Sequence, residues 1–226
     1  MHLFRRRTRT ADDRVRLEIA DLVVAGWTGR DRAAVEHHIA ELAAIGVPRP
    51  SATPLFYRLS ASLLTNGRAI QVVGADTSGE VETVIVALAD GLWVGLGSDH
   101  TDRAAESYSV ALSKQLCPKP IATELWRLDD VDDHWDRLVL RCWIAEAGER
   151  RLYQEGNVGG NLAPRDLIAR YAGGAALPPG TAMYCGTMPV QGRIRAAARY
   201  ELELHDPVLD RRMAHTYEVE ALPVVG

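Results

Sequence analysis

The stretch Ser78-Gly79-Glu80-Val81-Glu82-Thr83-Val84-Ile85-Val86 is typical of a β-strand that begins with two acids. A strand turns successive side chains to opposite faces, so Glu80 and Glu82 share one face while Val81 takes the other. Two carboxylates this close repel each other unless solvent, a cation or a shared proton relieves them. A solvated strand face is the ordinary explanation of such a pair. A cation site is the alternative, and the rest of the sequence has to support it.

The composition is that of an ordinary soluble globular protein. The chain has 226 residues, of which 47% are hydrophobic and 25% charged, which is enough for one large domain with a buried core. The net charge of -4 gives no reason to expect a nucleic-acid partner. We expect the basic run of Arg5, Arg6, Arg7 and Arg9 to be a loose solvated terminus.

Neither a membrane span nor a secretory signal is predicted. No apolar stretch approaches the roughly 20 residues that a membrane span needs, and the first residues lack the apolar core of a signal peptide. The three cysteines are widely spaced and form no C-x-x-C pair, which argues against a zinc site or a disulfide framework. We therefore expect a cytoplasmic protein.

Hydrophobic periodicity predicts more strands than helices. Helices are expected over 30–45 and 165–171, and one strand is expected to run through 15–24. Further strands are predicted over 69–73, 80–88, 92–96, 137–144, 199–205 and 215–221. Because strands and helices do not alternate regularly, the pattern predicts an α+β protein with mixed or antiparallel sheets.

A histidine and a glutamate lie at the edge of the apolar stripe of the first predicted helix. His38 lies about 60° from Val35 on a helical wheel, and Glu41 follows it at i+3, so that the two side chains can meet. A carboxylate beside a histidine fixes its tautomer and raises its basicity, as a general base requires. A structural role is the more common explanation for such a pair. His37 is expected on the solvated side.

Further chemistry is concentrated after the predicted strand 92–96. Asp99 or Asp102, in a glycine-rich loop, could complete a third corner around a cation; the pattern does not distinguish the two, and a capping aspartate is the ordinary alternative. Three carboxylates suit a hard ion such as Mg²⁺, which takes six oxygens at about 2.0–2.1 Å. Lys114 could neutralise an anion beside such a metal, although most lysines are surface charges.

The order and spacing of these motifs resemble the fumarylacetoacetate hydrolase superfamily over residues 28–222. The matching motifs are His38-Ile39-Ala40-Glu41, Pro54-Leu55-Phe56-Tyr57-Arg58, Glu80-Val81-Glu82, Ser98-Asp99-His100-Thr101, Lys114 with Cys117-Pro118, Arg151-Leu152-Tyr153-Gln154, Leu177-Pro178-Pro179-Gly180 and Gly186-Thr187-Met188-Pro189. The resemblance implies a β-rich mixed roll with few short helices. The chain would form a single domain over 1–226, in which residues 1–27 precede the family-like region. Two chains would form a homodimer.

The resemblance also implies a site. The metal ligands for Mg²⁺ or Mn²⁺ would be Glu80, Glu82 and Asp99. The catalytic residues would be His38 with Glu41, which activate water or move a proton, together with Lys114. The substrate-binding residues would be Arg58, Gln154 and Thr187.

The implied substrates are small 2-oxo acids or 1,3-dicarbonyls, which react through a metal-stabilised enolate. C–C hydrolysis of an acylpyruvate-like compound is the first expectation, and a lyase reaction (decarboxylation or hydration) on a 2-oxo acid is the second. A non-catalytic protein that keeps the fold and binds a metal or a small acid is the third.

The sequence departs from the family pattern in four places. The stretch from Glu82 to Asp99 is shorter than in typical members, and Thr101-Asp102-Arg103 replaces the usual S-A-R-D. Met188 is inserted in the G-T-P turn, and Arg58 stands where many members have lysine. These departures indicate a divergent bacterial branch and leave the third metal ligand as the least defined part of the site.

Overall fold

The computed structural model describes residues 1–44 and 49–225, with the side chains of His38 and Leu42 outside the described part. Strands predominate in the described residues. In chain order they are β1 (His2–Arg7), β2 (Asp12–Leu17), β3 (Asp21–Gly26), β4 (Leu55–Leu59), β5 (Leu64–Thr65), β6 (Ala69–Val73), β7 (Thr77–Ser78), β8 (Val81–Leu88), β9 (Gly91–Ser98), β10 (Thr101–Asp102), β11 (Lys119–Pro120), β12 (Glu124–Arg127), β13 (Val139–Glu146), β14 (Glu149–Asn157), β15 (Thr181–Tyr184), β16 (Arg199–Asp206) and β17 (Arg211–Leu222).

The helices are few and short. The α-helices of the described residues are α1 (Arg32–Ala44), α2 (Arg103–Glu106), α3 (Val110–Gln115) and α4 (Pro164–Tyr171). Short 3-10 turns cover Ala61–Leu63, Leu128–Asp130, Asp132–Arg137 and Val158–Gly160. Among the described residues, no helix is long and apolar enough to cross a membrane.

Two mixed sheets organise the chain. The larger has the strand order β2-β1-β12-β9-β8-β15-β3-β4, in which the β1–β12 and β15–β3 pairs are parallel and the others antiparallel. The smaller has the order β14-β13-β16-β17-β6, with only β17–β6 parallel. The predicted β-rich α+β architecture with mixed sheets is confirmed.

Strand β8 lies at the centre of the packing because both of its faces are buried. Val81 and Ile85 belong to the apolar cluster shared with the smaller sheet, whereas Val84 and Val86 belong to a second cluster on the opposite face. Glu82 shares the face of Val84 and Val86, since positions two apart on a strand point the same way. The sequence thus places an acid at the end of an apolar row, in a position shielded from water.

Most predicted elements are confirmed to within a few residues. The helix expected over 30–45 is α1, the end predicted at residue 45 lying outside the described residues, and the helix over 165–171 is α4. The single strand predicted over 15–24 is wrong. The segment forms two strands, β2 and β3. Between them, the backbone N–H groups of Ala20 and Asp21 both donate to Gly180 O, at 2.9 and 3.2 Å. As a result β3 pairs with β15, while β2 pairs with β1.

The prediction of a loose N-terminus is also wrong. Arg5, Arg6 and Arg7 form the second half of β1, which pairs with β2 on one side and β12 on the other. Arg5 Nε donates to Asp12 at 2.8–2.9 Å, and Arg6 Nε donates to Asp13 at 2.8 Å. Acids across the hairpin therefore neutralise the basic run.

Candidate metal centre

One hairpin brings the acids of the candidate site together. In the β8–β9 ladder Glu82 lies opposite Gly97, and just beyond the ladder the Asp99 N–H donates to Glu80 O at 2.9 Å. One carboxylate oxygen from each of Glu80, Glu82 and Asp99 lies within 4.8 Å of the other two. The short separation between Glu82 and Asp99 is therefore the length of a single tight hairpin.

Asp102, the alternative candidate for the third metal ligand, caps a helix. Asp102 is the N-cap of α2, where its Oδ1 accepts a hydrogen bond from the Ala105 N–H at 2.9 Å. Such a cap satisfies a backbone donor that has no partner within the helix. The geometry groups Asp99, and not Asp102, with the two glutamates; that Asp99 binds a metal stays a prediction.

Two lysines neutralise Asp99, which is fully buried. Lys114, on α3, contacts Asp99 Oδ2 and lies 3.6 Å from Glu80 Oε2. Lys119 Nζ lies 3.0 Å from Asp99 Oδ1 and donates to His100 O. Burial opposes ionisation of Asp99, but the two ammonium groups outweigh it and lower the pKa of Asp99 to about 2. Burial also lowers the pKa of Lys119, and attraction to Asp99 opposes this effect.

Glu82 is the acid with the least compensation. It is 2% exposed, and its Oε2 accepts a hydrogen bond from the Gly186 N–H at 2.7 Å. Burial, followed by the charges of Asp99 and Glu80, raises the pKa of Glu82 well above its ordinary value. A positive charge between these acids would relieve that cost.

The donor set fits a hard divalent cation. Mg²⁺ prefers carboxylate oxygens, and its opposite ligands lie about 4.2 Å apart, twice the Mg–O distance of about 2.1 Å. The three oxygens lie within 4.8 Å of one another, which is close to that separation. Glu80, Glu82 and Asp99 would hold the ion.

Sequence reasoning missed two of the cations around these acids. Arg103 Nη2 donates to Glu80 Oε1 at 2.8 Å, and its other nitrogens bind Ser78 and Glu106 at 2.7 and 2.8 Å. Lys119 was missed as well. Composition held a usable signal, because the chain has 24 arginines and only two lysines, Lys114 and Lys119, and both lie on Asp99.

A turn between β15 and the following loop forms the adjacent wall. Thr187 Oγ1 donates to Val81 O at 3.0 Å and accepts from Gln154 Nε2 at 2.9 Å. The buried Gln154 amide also donates to Met188 O at 2.7 Å and accepts from the Val81 N–H at 3.0 Å. In this structure, Gln154 and Thr187 hold the turn against the strand that carries Glu82.

Helix α1 begins close to that turn. Gly29 forms a bridge with Asn161, and Asn161 Nδ2 donates to the carbonyl oxygens of Gly186 and Thr187 at 3.0 Å. Farther along the helix, the exposed Glu41 lies 3.2 Å from His37 Nε2. The side chain of His38 lies outside the described residues, so its pairing with Glu41 stays a prediction.

Strand β4 carries Arg58, the predicted substrate-binding residue, and presents the neighbouring Tyr57 to Lys114. Arg58 forms an ion pair with Asp21 and donates to the Tyr171 hydroxyl at 3.1 Å. Its neighbour Tyr57 has its ring centroid 5.9 Å from Lys114 Nζ. Since adjacent strand residues point to opposite faces, Tyr57 is the residue of this pair that faces the acids.

Comparison with known families identifies one match. Residues 25–217 match the family described as protein of unknown function (DUF2848). The chain belongs to the DUF2848 family. No curated protein matches its sequence.

Solved structures with the same fold extend the comparison of this DUF2848 chain. A fumarylacetoacetate hydrolase family protein of yeast aligns with a TM-score of 0.64 at 16% identity, over 91% of this chain and 94% of its own. A 2-keto-3-deoxy-D-arabinonate dehydratase complexed with magnesium and 2,5-dioxopentanoate aligns with a TM-score of 0.62 at 15% identity, over 91% and 75%. A 2-hydroxyhepta-2,4-diene-1,7-dioate isomerase from Mycobacterium marinum gives 0.63 at 15%, over 91% and 76%. The resemblance drawn from the motifs is confirmed at the level of the fold.

Proposed function

We propose that this protein is a divalent-metal-dependent enzyme that acts on a small 2-oxo acid or 1,3-dicarbonyl. Hydrolysis of a C–C bond in an acylpyruvate-like substrate is the leading reaction. The observation that carries the proposal is the convergence of Glu80, Glu82 and Asp99 within 4.8 Å, with the Lys114 ammonium beside them.

The residues divide the chemistry among them. A bound Mg²⁺ or Mn²⁺ supplies a Lewis acid for the substrate's oxo and carboxylate oxygens. Lys114 places a second positive charge at the same point, where the acid end binds and where negative charge develops as the bond breaks. His38 with Glu41 is proposed to take a proton from water. The chain just before α1 is linked to the turn that binds Glu82, because Gly29 bridges to Asn161 and the Asn161 side chain donates to Gly186 O.

A lyase reaction is the second candidate. One protein with the same fold is a dehydratase complexed with magnesium and 2,5-dioxopentanoate. This compound is a 2-oxo acid. Hydrolysis and elimination both leave an electron pair on the carbon next to a carbonyl, so the same acids and lysine would serve either. The difference lies in whether water attacks a carbonyl or leaves the substrate.

The first experiment measures metal binding. Mn²⁺ titration calorimetry would compare the parent with Glu80→Gln, Glu82→Gln and Asp99→Asn, and with Glu106→Gln as the matched control. Glu106 is a neighbouring acid on the same Arg103 but lies outside the cluster. We expect each cluster variant to lose at least tenfold in affinity and the control to match the parent. Parent-like binding by the cluster variants would sink the proposal.

The second experiment identifies the reaction. The Mg²⁺-loaded protein would be incubated with a panel of acylpyruvates and 2-oxo acids, and the products analysed by mass spectrometry. Pyruvate plus a carboxylic acid indicates hydrolysis, whereas loss of water or CO₂ indicates a lyase. His38→Ala should lose turnover and keep Mn²⁺ binding. Metal binding without turnover of any compound in the panel would favour the non-catalytic alternative.

The assembly is a separate part of the proposal. We propose a homodimer, as the family resemblance implies. Sedimentation velocity at micromolar concentration would test it, and a single species with the mass of one 24.8 kDa chain would contradict it.

A further inference from the structure

Lys119 holds its charge in an unusual position. The side chain is fully buried, in β11, which pairs with β5. Its Nζ lies 3.0 Å from Asp99 Oδ1 and donates to His100 O, while Lys114 contacts the other oxygen of the same carboxylate. Each oxygen of one candidate metal ligand thus lies within ion-pairing distance of an ammonium group.

The charges of the site are already nearly matched within the protein. Glu80, Glu82 and Asp99 supply at most three negative charges. Lys114, Lys119 and Arg103 supply three positive ones, each within hydrogen-bonding or ion-pairing distance of Glu80 or Asp99, and Arg103 is shared with a further acid, Glu106. A divalent ion on Asp99 would therefore enter a site whose acids are already paired with cations of the protein.

The two lysines differ in how freely they can retreat from such an ion. Lys114 is on a short helix and retains slight exposure, whereas Lys119 has none and is anchored to a backbone carbonyl. Repulsion between an ammonium group and a divalent ion on the same carboxylate is weakly screened in a buried site. Lys119 therefore opposes the ion more persistently than Lys114.

We propose that Lys119 is an internal counter-ion that competes with the divalent cation for Asp99. It sets the metal affinity of the site and stabilises the metal-free protein. This inference rests on the metal site of the proposed function and adds its regulation. A consequence is that an anionic substrate and the metal reinforce each other's binding, since the acid offsets the excess positive charge of the loaded site.

The test compares Lys119→Met with Lys119→Arg and with Arg211→Met. The first removes the charge and keeps the length, and the second keeps the charge. The third removes another buried cation, one that pairs with Asp206 and lies outside the site. Mn²⁺ affinity is measured by calorimetry without substrate, and thermal unfolding is followed in EDTA and in excess Mn²⁺.

We expect Lys119→Met to bind Mn²⁺ at least tenfold more tightly than the parent and to unfold at a lower temperature in EDTA. The gain in melting temperature on adding Mn²⁺ should exceed that of the parent. Lys119→Arg should bind Mn²⁺ within about threefold of the parent, and Arg211→Met should lose stability with no change in Mn²⁺ affinity. Lys119→Gln provides a second neutral side chain with the same expected direction if the methionine variant does not fold.

Unchanged or weaker Mn²⁺ binding in the neutral variants would overturn the inference, because Lys119 would then only position Asp99. The Glu82→Gln variant separates this result from failure of the proposed function. If Glu82→Gln also binds Mn²⁺ as the parent does, the metal site itself is misplaced. If Glu82→Gln loses binding while Lys119→Met is unchanged, only the role of Lys119 is refuted.

Discussion

Substitution of Gly186 by alanine would test how the turn positions the acids. Gly186 has a φ of +100°, its N–H donates to Glu82 Oε2 at 2.7 Å, and its carbonyl accepts from Asn161 Nδ2 at 3.0 Å. A Cβ at this position would overlap the hydroxyl of the buried Thr28 and lie 3.0 Å from Thr28 Cβ. The residue is therefore constrained by its backbone angle and by its neighbour at once.

The cost follows from these two constraints. A non-glycine residue at such a φ costs about 1–3 kcal/mol, and the overlap with Thr28 adds about 1–3 kcal/mol, as for other forced insertions into packed sites. We expect Gly186→Ala to lose roughly 4 kcal/mol in the free energy of unfolding, the middle of the combined range of about 2–6 kcal/mol. Displacement of the N–H from Glu82 weakens a charge-assisted hydrogen bond, so Mn²⁺ affinity should also change by about tenfold.

Urea unfolding and Mn²⁺ calorimetry would measure both effects. Gly160→Ala is the matched control, because a Cβ there meets nothing within 4 Å, and it should stay within about 0.5 kcal/mol of the parent. Adding Thr28→Gly to Gly186→Ala should recover the overlap part and leave the backbone part. A Gly186→Ala protein within about 1 kcal/mol of the parent, with unchanged Mn²⁺ affinity, would refute this account of the turn.

Three further predictions concern other buried polar groups. Asp206 is buried and lies 3.2 Å from Arg211. The hydrogen bonds of Asp206 outweigh burial and lower the pKa of its carboxyl group. The stabilisation that the ionised Asp206 provides is therefore present above the unfolded pKa of about 3.9 and is lost as the pH falls through the lower folded pKa. Asp206→Asn should cost about 3 kcal/mol at pH 7 in urea unfolding, and a difference that persisted undiminished to pH 2 would contradict this. Tyr217→Phe removes a buried hydroxyl 2.9 Å from Ser98 Oγ and should cost about 1–2 kcal/mol by the same assay; a gain in stability would show that the hydroxyl is not needed. Lys114→Met should lower kcat about a hundredfold or more in the assay that the substrate panel provides while Mn²⁺ binding is not weakened, and an unchanged kcat would remove Lys114 from the reaction.

The sequence holds enough information to predict that the three acids lie together. Both strands of the hairpin were predicted, and the turn residues between them, Ala89 and Asp90, lie between the paired Leu88 and Gly91. Once that turn is fixed, the alternation of the ladder brings Asp99 beside Glu80. The short stretch from Glu82 to Asp99 was interpreted as a departure from the family pattern that left the third ligand least defined. Because it is short, one hairpin places Asp99 beside the two glutamates.

Other features could not be read from local patterns. The parallel pairing of β1 with β12 and of β17 with β6 joins residues more than 100 positions apart, and periodicity carries no information about such partners. Strand β14 was missed because its exposed first half is rich in charges. Lys119 was missed for a related reason, since nothing near it in the sequence indicates that its ammonium group lies on Asp99.

Each acid of the cluster is held by a different part of the chain. Glu82 accepts from the Gly186 turn, Glu80 is bound by Arg103 at the start of α2, and Asp99 lies between the two lysines. Because the partners of Glu82 and Asp99 do not overlap, removing a partner of one should disturb that ligand and leave the other in place. A cluster of acids assembled only by chance on a solvated strand would have no such separate supports, and for this reason the pair Glu80 and Glu82 is better explained as part of a buried, supported cluster of acids, the candidate cation site, than as an exposed strand face.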